Sequence, residues 1–204
     1  MTSLLWAADL TYLGINKRKT ISMTSILTVN SSASTTSSAS RALADKIITV
    51  LNADQVTDRD LNHPLPQVTG HWVKARLVDP AERSDADNEV LSLSDILISE
   101  LQTADTIVIG MPMYNFGIPA SLKLWIDLIC RPRVTFRYTE NGVEGLLKNK
   151  RAIVAMAAGG IPKGSPVDFA SPHMKQVLKF IGITDITIID ARDDDVDAQV
   201  AALG

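Results

Sequence analysis

Five short segments read as strands: Ile26–Asn30, Gln55–Asp60, Thr106–Met111, Arg151–Ala157 and Asp185–Ala191. Three of them hold nearly continuous apolar stretches, Ile26–Val29, Ile107–Met111 and Ile153–Ala157. Such runs suit strands buried on both faces. Helical spacing fills the gaps. Leu43, Ile47 and Leu51 repeat every fourth residue within Ser38–Leu51, and Leu93, Leu97 and Leu101 do so within Val90–Leu101. Pro119 suits the first turn of the next helix, where Leu122, Trp125, Ile126 and Ile129 make one apolar stripe. Met174, Val177, Leu178 and Ile181 make another, closed by Gly182. After the fifth strand, Val196, Val200 and Leu203 offer a short apolar face, and the run Asp193–Asp195 with Asp197 suits a solvated helix start.

Strands alternating with helices predict right-handed βαβ units, hence a doubly wound five-stranded parallel α/β sheet. Five strands suit the flavodoxin-like order 2-1-3-4-5. The polar stretch Leu61–Asn88 breaks the alternation and predicts a long functional loop. Residues 1–22 show no sustained period and read as an N-terminal tail or a misassigned start, so that 23–204 is the folded domain.

Composition narrows the classes. The chain's 204 residues suit one domain with an ample core, and its net charge of −3 gives no reason to bind nucleic acid or an anionic membrane. Cys130 is the single cysteine, which excludes an internal disulfide and fits a reducing, cytoplasmic setting. No apolar run approaches a membrane span of ~20 residues, and the first residues lack the basic start of a secretory signal. His63, His71 and His173 have no ligand-like spacing, which argues against a metal site. Cys130, at the end of an apolar helix, reads as a packing residue.

In such a sheet, ligands bind beyond the carboxyl ends of the strands, where the turns after the first, third and fourth strands meet. The first turn packs eight hydroxyls into the ten residues Ser31–Ser40, just before a helix. Free amides and hydroxyls at a helix start suit a static phosphate. The tract matches neither GxxxxGK[ST] nor GxGxxG, so a mononucleotide monoester is the better ligand. A solvated Ser/Thr linker with an N-cap fits the same letters. The second turn, Met111–Pro119, sets Tyr114, Asn115 and Phe116 between a strand and a helix. Flat rings and an amide suit a planar heteroaromatic ligand; a hydrophobic plug is the alternative. The third, Ala157–Gly164, carries the pair Gly159 and Gly160, whose backbone can approach a ligand closely. An ordinary flexible turn would read alike. The co-location of the three on one edge makes the case.

At these residues the chain resembles the FMN-dependent NADH-azoreductases, also described as FMN-dependent NADH:quinone oxidoreductases. MPMYNFGIP, VTFRYTENGVEGLL, the double glycine with its Pro/Lys/Gly loop, and KFIGITDI carry the resemblance, from about Met23 to about Asp190. It implies FMN contacts at Ser32, at Ser38, Ala39 and Ser40, at Met113, Tyr114, Asn115 and Phe116, and at Ala157, Ala158, Gly159 and Gly160. It implies substrate-pocket roles for Tyr138 and Phe180, and a homodimer with its two active sites at the subunit interface. It also implies ping-pong chemistry: NADH reduces the bound flavin, leaves, and a quinone or azo compound takes two electrons in its place, with no catalytic side chain. Tyr138 follows the β-rich run Val134–Tyr138 and precedes the turn signal Glu140–Gly142, which places it on an excursion at the carboxyl edge of the sheet. Two departures stand out. Ala157 and Ala158 occupy positions where relatives often have Ser-Arg, and the residues after the fifth strand are fewer than a long final helix needs. Two other classes share this pattern: a flavodoxin-like FMN electron carrier without NADH turnover, and an FMN-free relative.

Overall fold

The computed structural model describes residues 23–204, so the segment 1–22 lies outside the described residues. The elements run β1 (Ser25–Asn30), α1 (Ala39–Leu51), β2 (Gln55–Asp60), α2 (Gly70–Ala75), α3 (Asp85–Thr103), β3 (Thr106–Pro112), α4 (Ala120–Ile129), β4 (Phe136–Thr139), β5 (Gly142–Gly145), β6 (Arg151–Ala157), α5 (Ala170–Ile181), β7 (Asp185–Asp190) and α6 (Val196–Ala201). Five strands form one parallel sheet in the order β2-β1-β3-β6-β7. By chain numbering that is 2-1-3-6-7 and not 2-1-3-4-5, because the β-rich run around Tyr138 forms a separate antiparallel hairpin, β4–β5, inserted between β3 and β6.

Side chains alternate across each strand, and both faces are filled. Leu27, Val29, Ile107, Ile109, Val154 and Met156 face the larger core with α2, α3, α4 and α5. Ile26, Val108, Ile153, Ala155 and Ile189 face a smaller core with α1 and α6. The short final helix still packs: Val200 and Leu203 are buried there beside Leu43 and Ile47, and the Leu203 carbonyl accepts from Arg151 Nη1.

The stretch Leu61–Asn88 is structured, against the expectation of a long loop. Thr69 caps α2 by accepting from Trp72 N–H, and Trp72 and Ala75 enter the core. Apolar period missed this helix because a single two-turn element offers too few repeats. α3 begins five residues before the periodic Val90 because Ser84 and Asp87 form a reciprocal capping box that tolerates a polar first turn.

Candidate active site

Ligand chemistry on this fold belongs at the carboxyl edge between β1 and β3, where the connections leave in opposite directions. The three turns expected there are stitched together by hydrogen bonds. Ser31 docks its N–H and its Oγ on the Gly110 carbonyl of β3, at 3.0 and 2.8 Å. Ala33 N–H donates to Tyr114 Oη at 3.2 Å, joining the first turn to the second. Met113 N–H donates to the Ala157 carbonyl at 2.7 Å, joining the second to the third, and Phe169 N–H, just before α5, donates to the Phe116 carbonyl at 3.1 Å.

The first turn presents a helix start. Ser38 is the N-cap of α1, its Oγ accepting from Arg41 N–H at 3.4 Å and lying 3.2 Å from Ser40 Oγ. Ala42 N–H bonds the Ser38 carbonyl. That leaves the amides of Ala39 and Ser40 as first-turn donors for a ligand. Thr35, Thr36, Ser37, Ser38 and Ala39 line an open depression of about 420 Å³ at this point. Ser32 and Ser40 are buried, so Ser40 offers its backbone more readily than its hydroxyl.

In the second turn Asn115 and Phe116 both take left-handed φ values, 49° and 71°. Reciprocal 3.0 Å bonds between Tyr114 and Gly117 close the turn around them. Two consecutive positive φ values make a tight reversal of the I′ kind, uncommon for a bulky ring and costly by order 1–3 kcal/mol. The reversal leaves Tyr114 and Phe116 exposed at the edge while Met113 points into the core.

The third turn carries the most telling pair. Neither Gly159 nor Gly160 is left-handed, and a Cβ on either would meet no protein atom within 4 Å. Neither backbone conformation nor internal packing therefore explains two glycines in succession. Their backbone is open to close approach from outside the protein. Ala157 and Ala158 bring no polar side chain here, and the Ala157 carbonyl bonds the second turn. Asp168 braces the base of this turn. Burial alone would raise its carboxyl, but bonds from Ser171 Oγ and from the Gly164, Ser171 and Ala170 amides hold it below the ordinary carboxylate value. Asp193, expected to be solvated, instead pairs with Lys163 of the third turn at 2.5 Å.

Tyr138 and Phe180 do not join the three turns in this chain. Gly145 of the hairpin abuts Gly182 so closely that a Cβ on Gly145 would lie 2.1 Å from Gly182 N. Gly182 follows α5 and precedes β7, so the hairpin is rooted at the amino edge, not the carboxyl edge. Phe180 lies ten residues into α5, about 15 Å along the helix axis from its start. There the Phe136 ring sits 4.4 Å from that of Phe180 and 5.6 Å from that of Tyr138. Phe180 and Phe136 also line a separate cavity of about 280 Å³ with Trp72, Arg76 and Cys130. Burial, reinforced by nearby Asp127, pushes the Cys130 thiol up to about 11, which fits an inert packing residue. Letter patterns also missed Arg41, Asp60 and Asn62, which meet behind the first turn; each is a single polar residue whose partner lies 19 or more positions away or is a main-chain atom.

A family profile described as flavodoxin-like fold matches residues 24–203. The chain is 49% identical over 179 residues to FMN-dependent NADH:quinone oxidoreductase 1 of Jannaschia sp., covering 88% of this chain and 93% of that one. It is 50% identical over 173 residues to the protein of that name from Hahella chejuensis, covering 83% and 85%. Among solved structures, an FMN-dependent NADH-azoreductase from Bacillus anthracis in complex with FMN superposes with a TM-score of 0.70 at 25% identity, covering 89% and 93%. An azoreductase from the Sterne strain superposes at 0.74 with 24% identity, covering 89% and 95%.

Proposed function

The chain belongs to the FMN-dependent NADH:quinone oxidoreductase family on the flavodoxin-like fold, and we propose that it is itself such an enzyme, reducing quinones and aromatic azo compounds with electrons from NADH. The observation that carries this reading is the pair Gly159–Gly160, which faces open space at a seam where three turns are tied together.

The residues present fit FMN. Ser32, Ser38, Ala39 and Ser40 offer hydroxyls and amides to the phosphate at the positive end of the α1 dipole. Met113, Tyr114, Asn115 and Phe116 would flank the flat ring system, Met113 through its backbone, and the backbone from Ala157 to Gly160 would lie along its edge. FMN, when bound, supplies the two-electron chemistry that no side chain at this seam can supply. The amides beside Gly159 and Gly160 offer donors to negative charge developing at the ring edge. The exposed rings of Tyr114 and Phe116 offer flat walls to a planar donor and then a planar acceptor in the same place.

The aromatic group at Tyr138 and Phe180 needs a second chain to reach such a site. Tyr138 is 73% exposed at an edge remote from its own three turns. A two-fold homodimer would set each copy's aromatic group over the other's seam. Residues 23–204 form the FMN-binding domain. Among the described residues no helix is long and apolar enough to cross a membrane, and with Cys130 as the single cysteine we place the protein in the cytoplasm. The test is initial-rate kinetics with NADH and a benzoquinone varied together, repeated with an aromatic azo dye. Parallel double-reciprocal lines with both acceptors are expected. Absence of NADH turnover would remove the proposal.

A further inference from the structure

Beside the hydroxyl tract lies a charged group that grips its backbone. Arg41, in the first turn of α1, donates from Nη2 to the Ser32 carbonyl at 2.9 Å and to Asp60 Oδ1 at 2.7 Å. Asn62 Nδ2 donates to the same Ser32 carbonyl at 3.0 Å. The Asn62 amide donates to the same Asp60 oxygen at 2.9 Å. One carboxylate oxygen at the end of β2 thus holds the Arg41 guanidinium and the Asn62 main chain, and Arg41 Nη2 and Asn62 Nδ2 converge on one carbonyl. The Arg41 and Asp60 side chains are only 15% and 20% exposed, so water screens the pair little.

The peptide unit is planar and trans, so its C=O and N–H point in opposite directions. Holding the Ser32 carbonyl from behind fixes where the next amide points. That amide is Ala33 N–H, and it points forward, to Tyr114 Oη at 3.2 Å. Were this plane to turn over, a carbonyl dipole would stand at the seam in place of a donor, and an anion there would be repelled rather than bound. Arg41 therefore acts on the first turn through backbone orientation. Its side chain also borders the depression beneath the hydroxyl tract, with Nη2 committed to Ser32 and Asp60.

We propose that Arg41, Asp60 and Asn62 are positioning residues that orient the Ser32–Ala33 peptide for phosphate recognition, and so set the preference for FMN over its phosphate-free counterpart riboflavin. The inference rests on the first turn being the phosphate site. A merely structural role for the group would weaken both flavins together. A positioning role weakens the one that carries phosphate far more than the other.

The experiment strips flavin from the full-length protein and titrates the apoprotein with FMN and, separately, with riboflavin, following flavin fluorescence. Wild type, Arg41→Gln, Arg41→Lys, Asn62→Ala and Ser38→Asp are compared, with a melting temperature for each apoprotein. Arg41→Gln is expected to weaken FMN roughly tenfold or more, the scale of a lost charged hydrogen bond, while riboflavin affinity stays within about twofold. Arg41→Lys should recover part of the loss. Asn62→Ala keeps the ion pair but removes one donor, so it should shift the same ratio by a smaller factor, and it serves if Arg41→Gln does not fold. Equal weakening of FMN and riboflavin would overturn the positioning role. So would unchanged FMN affinity in Arg41→Gln and Asn62→Ala alongside a large loss in Ser38→Asp, which would leave the phosphate site standing without them. If Ser38→Asp also left the FMN-to-riboflavin ratio unchanged, the phosphate-site reading would itself fall, and the inference with it.

Discussion

The two ends of the sheet hold aromatic residues in opposite ways. At the carboxyl edge, Tyr114 and Phe116 ride on a strained backbone reversal tied to its neighbours by main-chain bonds. At the amino edge, Phe136 meets Tyr138 edge to face and Phe180 at a tilt, and their placement depends on the close approach of Gly145 and Gly182. The first arrangement fixes donors and acceptors to within a hydrogen bond, as recognition of one cofactor requires. The second fixes only flat surface, which suits a range of acceptors. Cofactor retention and acceptor choice should therefore be separable by mutation.

The largest separation is expected from Ser38→Asp. Aspartate is as good an N-cap as serine, so α1 should persist. A carboxylate about 4 Å from phosphate costs a few kcal/mol near a protein surface, and FMN affinity should fall roughly a hundredfold or more. Equilibrium dialysis of FMN together with far-UV circular dichroism checks both halves. Retained affinity would sever the first turn from the cofactor.

Gly145→Ala strikes the other end. Its Cβ would collide with the Gly182 backbone, so the hairpin must shift. Overpacking of this kind costs about 1–3 kcal/mol, or roughly 2–10 °C in a domain of this size. FMN stoichiometry should hold while the ratio of quinone to azo rates changes. A variant that loses FMN in step with its melting temperature would show that the two ends are not separable.

Asp168 sharpens the picture of the third turn. Its carboxyl lies below the ordinary value near 3.8 in the folded chain. The stability it contributes is thus complete above that value and lost as pH falls through the lower folded one. Asp168→Asn should lower the melting temperature at pH 7 by a few degrees, since its hydrogen bonds are charge-assisted. That deficit should shrink toward pH 3. A deficit independent of pH would mean that charge plays no part in bracing the turn.

Tyr138→Ala should have the smallest effect on the fold, within about 0.5 kcal/mol for so exposed a side chain. Acceptor KM is expected to move several-fold, with FMN content unchanged, as read on one preparation with a quinone and an azo dye. A destabilised variant with an unaltered acceptor ratio would make Tyr138 a packing residue.

How far these regions can be read from letters follows the same division. β3 and β6 are legible because burial on both faces writes apolar residues at successive positions, 107–109 and 152–156. The three turns are legible because each follows such a strand and spends an unusual composition in few residues. The hairpin's existence is visible in Val134–Gly142, but its edge is not. That depends on Gly145 meeting Gly182, 37 positions away, with no side chain to mark the contact. The Arg41–Asp60–Asn62 group is hidden for a related reason: its target is a main-chain carbonyl, which has no letter. α2 and the first turn of α3 depend on caps at Thr69 and Ser84, which hydrophobic period does not register.

The central claim, that the seam holds FMN for two-electron traffic between NADH and an acceptor, is tested most directly by anaerobic titration of the reconstituted protein. One equivalent of NADH should bleach the visible absorbance of the bound flavin, and one equivalent of benzoquinone should restore it. A flavin that binds with full stoichiometry yet stays oxidised in excess NADH would contradict the account and make the protein an electron carrier.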